Sequence, residues 1–294
     1  MKIQKRKHLS GSSAYYTHVP LKIGELTAKV DIPPKILEEL ESLFEELRFL
    51  LSELDGEIIP AIVDQEAKDS VLLAEGKTAG YFSYISLLGN PDVENIKQAY
   101  WYSVDALDEL PISSRLIRHI HHIVCRSDAY DKKYPGEFRS SPVWIGNGSS
   151  TLTDAVFVPP AGRDMTDAMS ELDNYINYSS DNPYLMAAVI HYQFEMIHPF
   201  IDGNGRVGRI LNNLFLFEKG EIPHPAFLLS SAIIENRGAY FDALQRVNET
   251  GDFNYWLRYF LDVLKEGAQL TIDKVKNKDP QPVEAYETIF PSLN

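Results

Sequence analysis

The sequence predicts a mainly α-helical protein with one small β-hairpin, on three observations. Apolar residues recur at helical spacing through most of the chain. Two short β-type runs, 143–145 and 156–158, interrupt that pattern. Residues 184–197 are apolar on nearly every side, which predicts a buried helix.

In chain order, residues 1–30 are mixed and polar and read as an irregular lead-in. Pro33 and Pro34 then open a helix whose seam is Leu37, Leu40, Phe44, Leu47, Leu51 and Leu54, closed by Gly56. The seam covers fewer than three heptads. It is therefore read as packing on its own domain, with a coiled-coil homodimer as the alternative. Further helices are predicted at 64–88, broken near Gly76 and Gly80, at 92–109 after Pro91, and at 116–124. The last carries His119, His121 and His122. These read as packed or surface histidines, because structural zinc needs four convergent ligands.

Val143, Trp144 and Ile145 pair with Val156, Phe157 and Val158 in the predicted hairpin, with Asn147 and Gly148 in its loop and Pro159 and Pro160 ending it. The remaining helices are 165–178, 184–197, 205–219 and 237–266, punctuated by Gly220 and Gly251. A polar, proline-bearing tail follows.

The 294 residues suit one large domain or two small ones, and 44% hydrophobic content supports a real core. A net charge of −14 argues against nucleic-acid binding, which needs a basic stripe, yet leaves room for a nucleotide in a local positive pocket. The basic start, with Lys2, Lys5, Arg6 and Lys7, has no apolar stretch after it to make a secretory signal. No apolar run is long enough to span a bilayer. One cysteine, Cys125, fits a reducing compartment. A soluble cytoplasmic protein is expected.

Residues 198–209 read His-Pro-Phe-Ile-Asp-Gly-Asn-Gly-Arg-Val-Gly-Arg. The preceding helix delivers His198, and Pro199 ends it, pushing His198 toward extended geometry. Gly203 and Gly205 permit cramped backbone angles on either side of Asn204. The next helix begins here, and its free N–H groups form an anion site. Arg206 and Arg209 share a face and offer forks of donors matched to phosphate. Asp202 offers a hard oxygen suited to magnesium. His198 titrates near neutrality and suits general-base work.

This segment resembles the signature of the Fic family (filamentation induced by cAMP) at every fixed position. Further likeness lies in residues 136–139, 144–146, 157–160 and 191–195, in Glu235, Asn236 and Arg237, and in Tyr240 and Phe241, within roughly 65–265. The resemblance implies a Fic-type helical bundle with a hairpin flap and a protein adenylyltransferase moving AMP from ATP to a Tyr, Ser or Thr hydroxyl of an unidentified target protein. His198 would be the base, and Asp202 would hold Mg2+. Asn204, with the amides of Gly203 and Gly205, would hold phosphate oxygens. Arg206, Gly208 and Arg209 would complete the triphosphate site, with Tyr240 and Asn248 against the adenosine. Asp154, Ala155, Val156 and Phe157 would clamp the target by strand-like pairing.

The same likeness divides the chain into an N-terminal helical extension (1–64), a candidate inhibitory-helix region (65–95), a catalytic core (96–266) and a C-terminal tail (267–294). In relatives an inhibitory glutamate pairs with the last signature arginine, which here would join Glu75 to Arg209. The fourth residue before Glu75 is Val71, and Ser70 stands one place off the usual hydroxyl position. Alternatives on this scaffold are another phosphate donor, removal of AMP from a target, and a non-catalytic nucleotide sensor. A relative that uses the other end of ATP carries lysine where this chain has Gly205, which favours AMP transfer.

Overall fold

A computed structural model describes residues 4–10, 13–53, 58–146 and 151–277. Leu54, Gly56, Asn147, Gly148 and the tail beyond 277, all assigned from sequence, lie outside the described residues. The chain folds as a helical bundle. Its centre is α8 (Pro183–Ile197), in which every residue but Pro183 and Leu185 is buried. The Asn182 side chain caps its start by accepting from the Tyr184 amide at 2.9 Å. Around α8 pack α7 (Arg163–Tyr178), α9 (Asn204–Glu218) and α12 (Asn254–Asn277). Trp256 of α12 is fully buried and donates its indole N–H to the Ala188 carbonyl at 2.8 Å, so a large ring enters the core without stranding its polar atom.

The seam predicted near the N-terminus lies on α2 (Pro34–Ser52) and is used within the chain. Leu40, Phe44, Leu47 and Leu51 are completely buried, with α2 packed on α12 and Phe44 against Tyr184 and Phe227. Those four seam positions are spent on the chain's own core, while Leu37 at the start of the seam is half-buried. One hydrophobic cluster runs from Ile23 to Val275. The boundary drawn between 64 and 65 falls inside α3 (Ile58–Glu75), and the tail expected from 267 is helical to Asn277. The histidine-bearing helix is α6 (Ser114–Val124), packed on α5 (Pro91–Ala106). Two short helices, α1 (Ile23–Thr27) and α4 (Tyr81–Ile85), complete the N-terminal part.

The β structure is not where the sequence places it. The sheet is an antiparallel pair at the N-terminus, β1 (Lys5–Ser10) with β2 (Ser13–His18), in the region read as irregular. These strands are polar on both faces, so they lack the alternation that marks a half-buried strand. Their position comes from β2, where the His18 amide donates to the Val158 carbonyl at 2.9 Å and the His18 ring packs 4.4 Å from Phe157. The predicted 143–158 hairpin is reduced to one antiparallel bridge, Ile145 with Phe157.

A second missed element is α10 (Leu229–Glu235), which is too short to show a period. Buried carboxylates of α3 hold its start. Glu66 accepts from the Ser230 amide at 2.7 Å and the Ser230 hydroxyl at 2.6 Å, and Asp69 accepts from the Ser231 hydroxyl at 2.6 Å. An acid from a distant helix thus serves as the N-terminal cap.

Burial lifts the Glu66 carboxyl to about 8, against the opposing pull of Ser230. A carboxyl raised by folding stabilises fully below its unfolded value and loses that contribution as pH rises through its folded value. Glu66→Gln keeps an acceptor for the Ser230 amide and gains a donor for its hydroxyl. The variant is expected to lose less melting temperature than the parent between pH 5 and pH 8.5. Parallel melting curves across that range would reject the assignment.

Candidate active site

His198 ends α8 in the left-handed region, with φ 49° and ψ 59°, and its amide still donates to Phe194 O at 2.9 Å. The extended geometry expected before Pro199 is therefore corrected. The helix closes with a left-handed C-terminal residue, and the chain reverses there. The Nδ1 of His198 lies 3.3 Å from the Glu195 carbonyl, so this nitrogen carries the proton and Nε2 keeps its lone pair. Burial lowers the imidazole to about 4, more than the Glu195 carbonyl and Asp202 raise it, so it is neutral at physiological pH.

Arg139 fixes this reversal. Its guanidinium donates to the carbonyls of His198 (2.7 Å), Pro160 (2.5 Å), Ile197 (3.2 Å) and Ser141 (3.3 Å), and its amide donates to Pro199 O at 2.9 Å. It is almost wholly buried, and that burial lowers it to about 10, which leaves it charged. Sequence reading placed Arg139 among family-like residues without a role. Nothing in local spacing reveals a partner 59 residues away.

The loop after His198 is braced from inside. The Asn204 side chain accepts from the Phe200 amide and donates to the Phe200 carbonyl, both at 2.9 Å, and is buried. Its expected grip on phosphate is corrected to that extent: the amide first holds the loop shut. His121 stacks on Phe200 at 3.7 Å, accepts from the Gly136 amide at 2.8 Å and donates to Asp202 O at 2.9 Å. Of the three α6 histidines, this one supports the site, while His119 meets the Tyr102 hydroxyl and His122 faces Pro135 O. Gly203 has φ +81°, and a Cβ there would stand 2.8 Å from the Cys125 sulfur.

α9 opens with Asn204, and the free N–H groups of its first turn make a start suited to an anion. Gly208 admits Glu195 and Phe194 of α8, whose atoms come within 2.6 and 3.1 Å of where a Cβ would sit. Gly205 leaves space for the Arg209 guanidinium, 3.1 Å from the equivalent point. Arg206 donates to Asp92 at 3.0 Å, lies 3.7 Å from Asp202 and covers the Tyr130 ring at 5.0 Å. Arg209 donates from Nε to the Ser70 hydroxyl and from a terminal nitrogen to the Ser70 carbonyl, each at 2.9 Å.

Asp202 is half-exposed. It pairs with Lys133 and accepts from the Gly203 amide at 2.6 Å. Burial opposes its ionisation, but Lys133, the Gly203 amide and Arg206 outweigh burial and hold its carboxyl below the usual range. Among the described residues no group of three or more His, Cys, Asp or Glu could by itself hold a metal ion. One accessible carboxylate beside an anion site suits magnesium, which takes one or two carboxylates and completes its shell with phosphate and water.

Glu75 does not meet Arg209. It pairs with Lys77 at 2.6 Å, and Ser70 takes the arginine. Residues 70 and 75 are five apart on α3, so their side chains leave the helix about 140° apart, and the face that reaches Arg209 cannot also present Glu75. Glu75→Gly is expected to leave ATP affinity within about twofold of the parent, since an exposed pair contributes little. A tenfold gain on calorimetric titration would restore the inhibitory pairing.

These groups line one cavity of about 730 Å³, within the range of small-molecule sites. His198, residues 202–206 and Arg209 line its base, with Tyr240 and Asn248 farther along. Tyr240 is buried with its hydroxyl 3.1 Å from His191, and Asn248 accepts from the Tyr192 hydroxyl at 3.3 Å. Ile145, Val156 and Phe157 form one wall, continued by Lys5 and His18 of the N-terminal hairpin. Val156 is 68% exposed, whereas Phe157 is buried. Thr151 donates from its amide and hydroxyl to Asp154 in the turn before them.

A profile of the Fic/DOC family matches residues 111–216. The chain is 30% identical over 186 residues to a protein of Aedes aegypti named protein adenylyltransferase Fic, covering 62% of this chain and 32% of the relative. Its counterpart in Culex quinquefasciatus is 31% identical over 184 residues, covering 61% and 32%. The chain spans about a third of the length of these curated relatives. A Fic family protein from Desulfovibrio desulfuricans G20 superposes with a TM-score of 0.64 at 17% identity, covering 85% of this chain and 77% of that one. A Fic domain containing signaling protein from Bacteroides thetaiotaomicron VPI-5482 gives 0.60 at 21%, covering 82% and 99%. Both likenesses show a shared fold. His198, the braced loop and the opening of α9 all lie inside residues 111–216, the stretch that matches the Fic/DOC family.

Proposed function

We propose that this protein transfers AMP from ATP to a hydroxyl side chain of a target protein. One observation carries the reading: a neutral imidazole, its Nε2 without a partner among the described residues, stands in the same cavity as the first turn of α9 and two buried arginines. The mosquito relatives bear the name protein adenylyltransferase Fic, which supports it. His198 takes the proton of the target hydroxyl. That oxygen bonds to the α-phosphorus, the bond to the oxygen bridging toward the β-phosphate breaks, and pyrophosphate leaves. The amides at the start of α9, with Arg206 and Arg209, stabilise charge building on the phosphate oxygens. Asp202 would hold a magnesium ion, which would shield the α- and β-phosphates, and Lys133 balances the carboxylate otherwise.

Tyr240 and Asn248 would flank the nucleoside, and the exposed edge at Val156 would take the target strand. No helix among the described residues is long and apolar enough to cross a membrane. The test is transfer from ATP to proteins of a cell lysate, with α-labelled and γ-labelled nucleotide in parallel. Label from the α-position alone supports AMP transfer. γ-label would mean phosphorylation. No incorporation, with release of AMP from a pre-labelled target, would reverse the direction.

A further inference from the structure

Three guanidinium groups line the cavity, and they differ in how their donors are met. Arg206 is answered by Asp92 and Asp202, and Arg209 by Ser70. Arg237 is the exception. It is the first residue of α11 (Arg237–Thr250), lies partly buried, and its Nε is sealed from solvent with no acceptor among the described residues. Its guanidinium covers the Phe241 ring at 5.0 Å, which orients the plane without satisfying an N–H.

Two features make this arrangement costly. A buried donor without an acceptor loses its hydration without return, and more so when charged. A cation at the first position of a helix also opposes the helix dipole. An anion against this guanidinium would offset the opposed dipole and the uncompensated charge. The end of α3 is shaped around the group: a Cβ on Gly76, which has φ +70°, would stand 3.4 Å from a terminal nitrogen of Arg237. Leu73 and Ala74, from the last turn of α3, line the same space.

We propose that Arg237 is a second anion handle, outside the 198–209 segment, that takes the terminal phosphates of the bound nucleotide and so selects a triphosphate over a monophosphate. The proposal rests on the adenylyltransferase reading for the identity of the ligand. The chemistry it requires is a polyphosphate end, matched by the planar fork of donors.

The experiment is calorimetric titration of the full chain with ATP, AMP and inorganic tripolyphosphate, comparing the parent, Arg237→Ala and Arg237→Lys, with melting curves to verify folding. Arg237→Ala should weaken ATP and tripolyphosphate about tenfold or more, the loss of a charged hydrogen bond, and leave AMP within about twofold. Arg237→Lys should recover part of the loss, since it restores charge without the fork. Unchanged ATP and tripolyphosphate binding in Arg237→Ala would overturn the handle, as would an equal loss for AMP, which would mark a merely structural role. Tripolyphosphate binding that depends on Arg237, with no ATP binding, would keep the handle and reject the nucleotide reading. ATP binding independent of Arg237 would do the reverse. A parent that binds neither would reject both.

Discussion

His198→Ala is expected to lower the rate of AMP transfer by about 10²–10⁴, the usual worth of a positioned general base, and to leave ATP affinity within about threefold. The separation follows from geometry. The imidazole sits at the end of α8 and offers only a lone pair to the cavity, whereas the groups proposed to bind the anion belong to α9 and, for Arg237, to α11. Removing the ring therefore removes a proton acceptor and no phosphate contact. Single-turnover transfer from α-labelled ATP and an independent titration of ATP measure the two halves. Equal loss of both would mean that the ring holds nucleotide and that its assignment as base is wrong.

The same ring carries a pH signature. An exposed histidine gains its proton near 6.5, whereas burial holds His198 near 4. In a 15N-histidine spectrum its resonances should stay in the neutral pattern down to about pH 5. Titration near 6.5 would show an open imidazole and remove the reason for calling it a ready base. Acid should also weaken the fold itself. Buried neutral His198, His121 and His191 all have lowered values, the first two about 4 and the last about 3, so stability is lost as pH falls from 6.5 through that range.

Arg139→Ala should cost the most stability of any change near the site, about 3–5 kcal/mol, or roughly 10 °C in melting temperature. One side chain serves four carbonyls. Two of them, Ile197 and His198, belong to the last turn of α8, where no intrahelical donor is available. Each orphaned carbonyl loses its partner in a place water reaches poorly. Arg139→Lys keeps the charge but cannot spread a planar fork across strands of chain that converge from different directions, so it should recover less than half. Transfer should fall with stability even where the variant remains folded, because the His198 carbonyl is what orients the residue. A folded Arg139→Ala with parental melting and parental transfer would show the network to be incidental.

Much of the helical architecture was legible because burial has a period. Leu40, Phe44, Leu47 and Leu51 recur at helical spacing and are all fully buried. Residues 184–197 lack a polar face, and α8 is correspondingly enclosed. Sequence was weaker where an element gains stability from something distant. The β1–β2 pair has almost no apolar alternation and is docked by His18 on Phe157 and Val158. α10 is capped by acids from α3, more than 160 residues earlier. The bridge at Ile145 and Phe157 is shorter than its β-rich sequence suggests, and Phe157 instead fills the interface with the N-terminal hairpin.

The chain's own order of residues determined what chemistry is on offer: a histidine at a helix end, a glycine-bent loop, an acid and two arginines at the next helix start, all within twelve consecutive positions. Neighbours along a chain stay neighbours in space, so that cluster survives any fold that forms the two helices. Only the tertiary structure decided which of those groups are free and which are engaged. Asn204 closes its own loop, Arg206 answers Asp92, Arg209 answers Ser70 rather than Glu75, and Arg237 keeps a buried donor that no described residue meets. The Arg206 and Arg209 outcomes depend on partners from other helices, and hydrogen-bond partnership across helices is set by packing distance, which no linear spacing encodes.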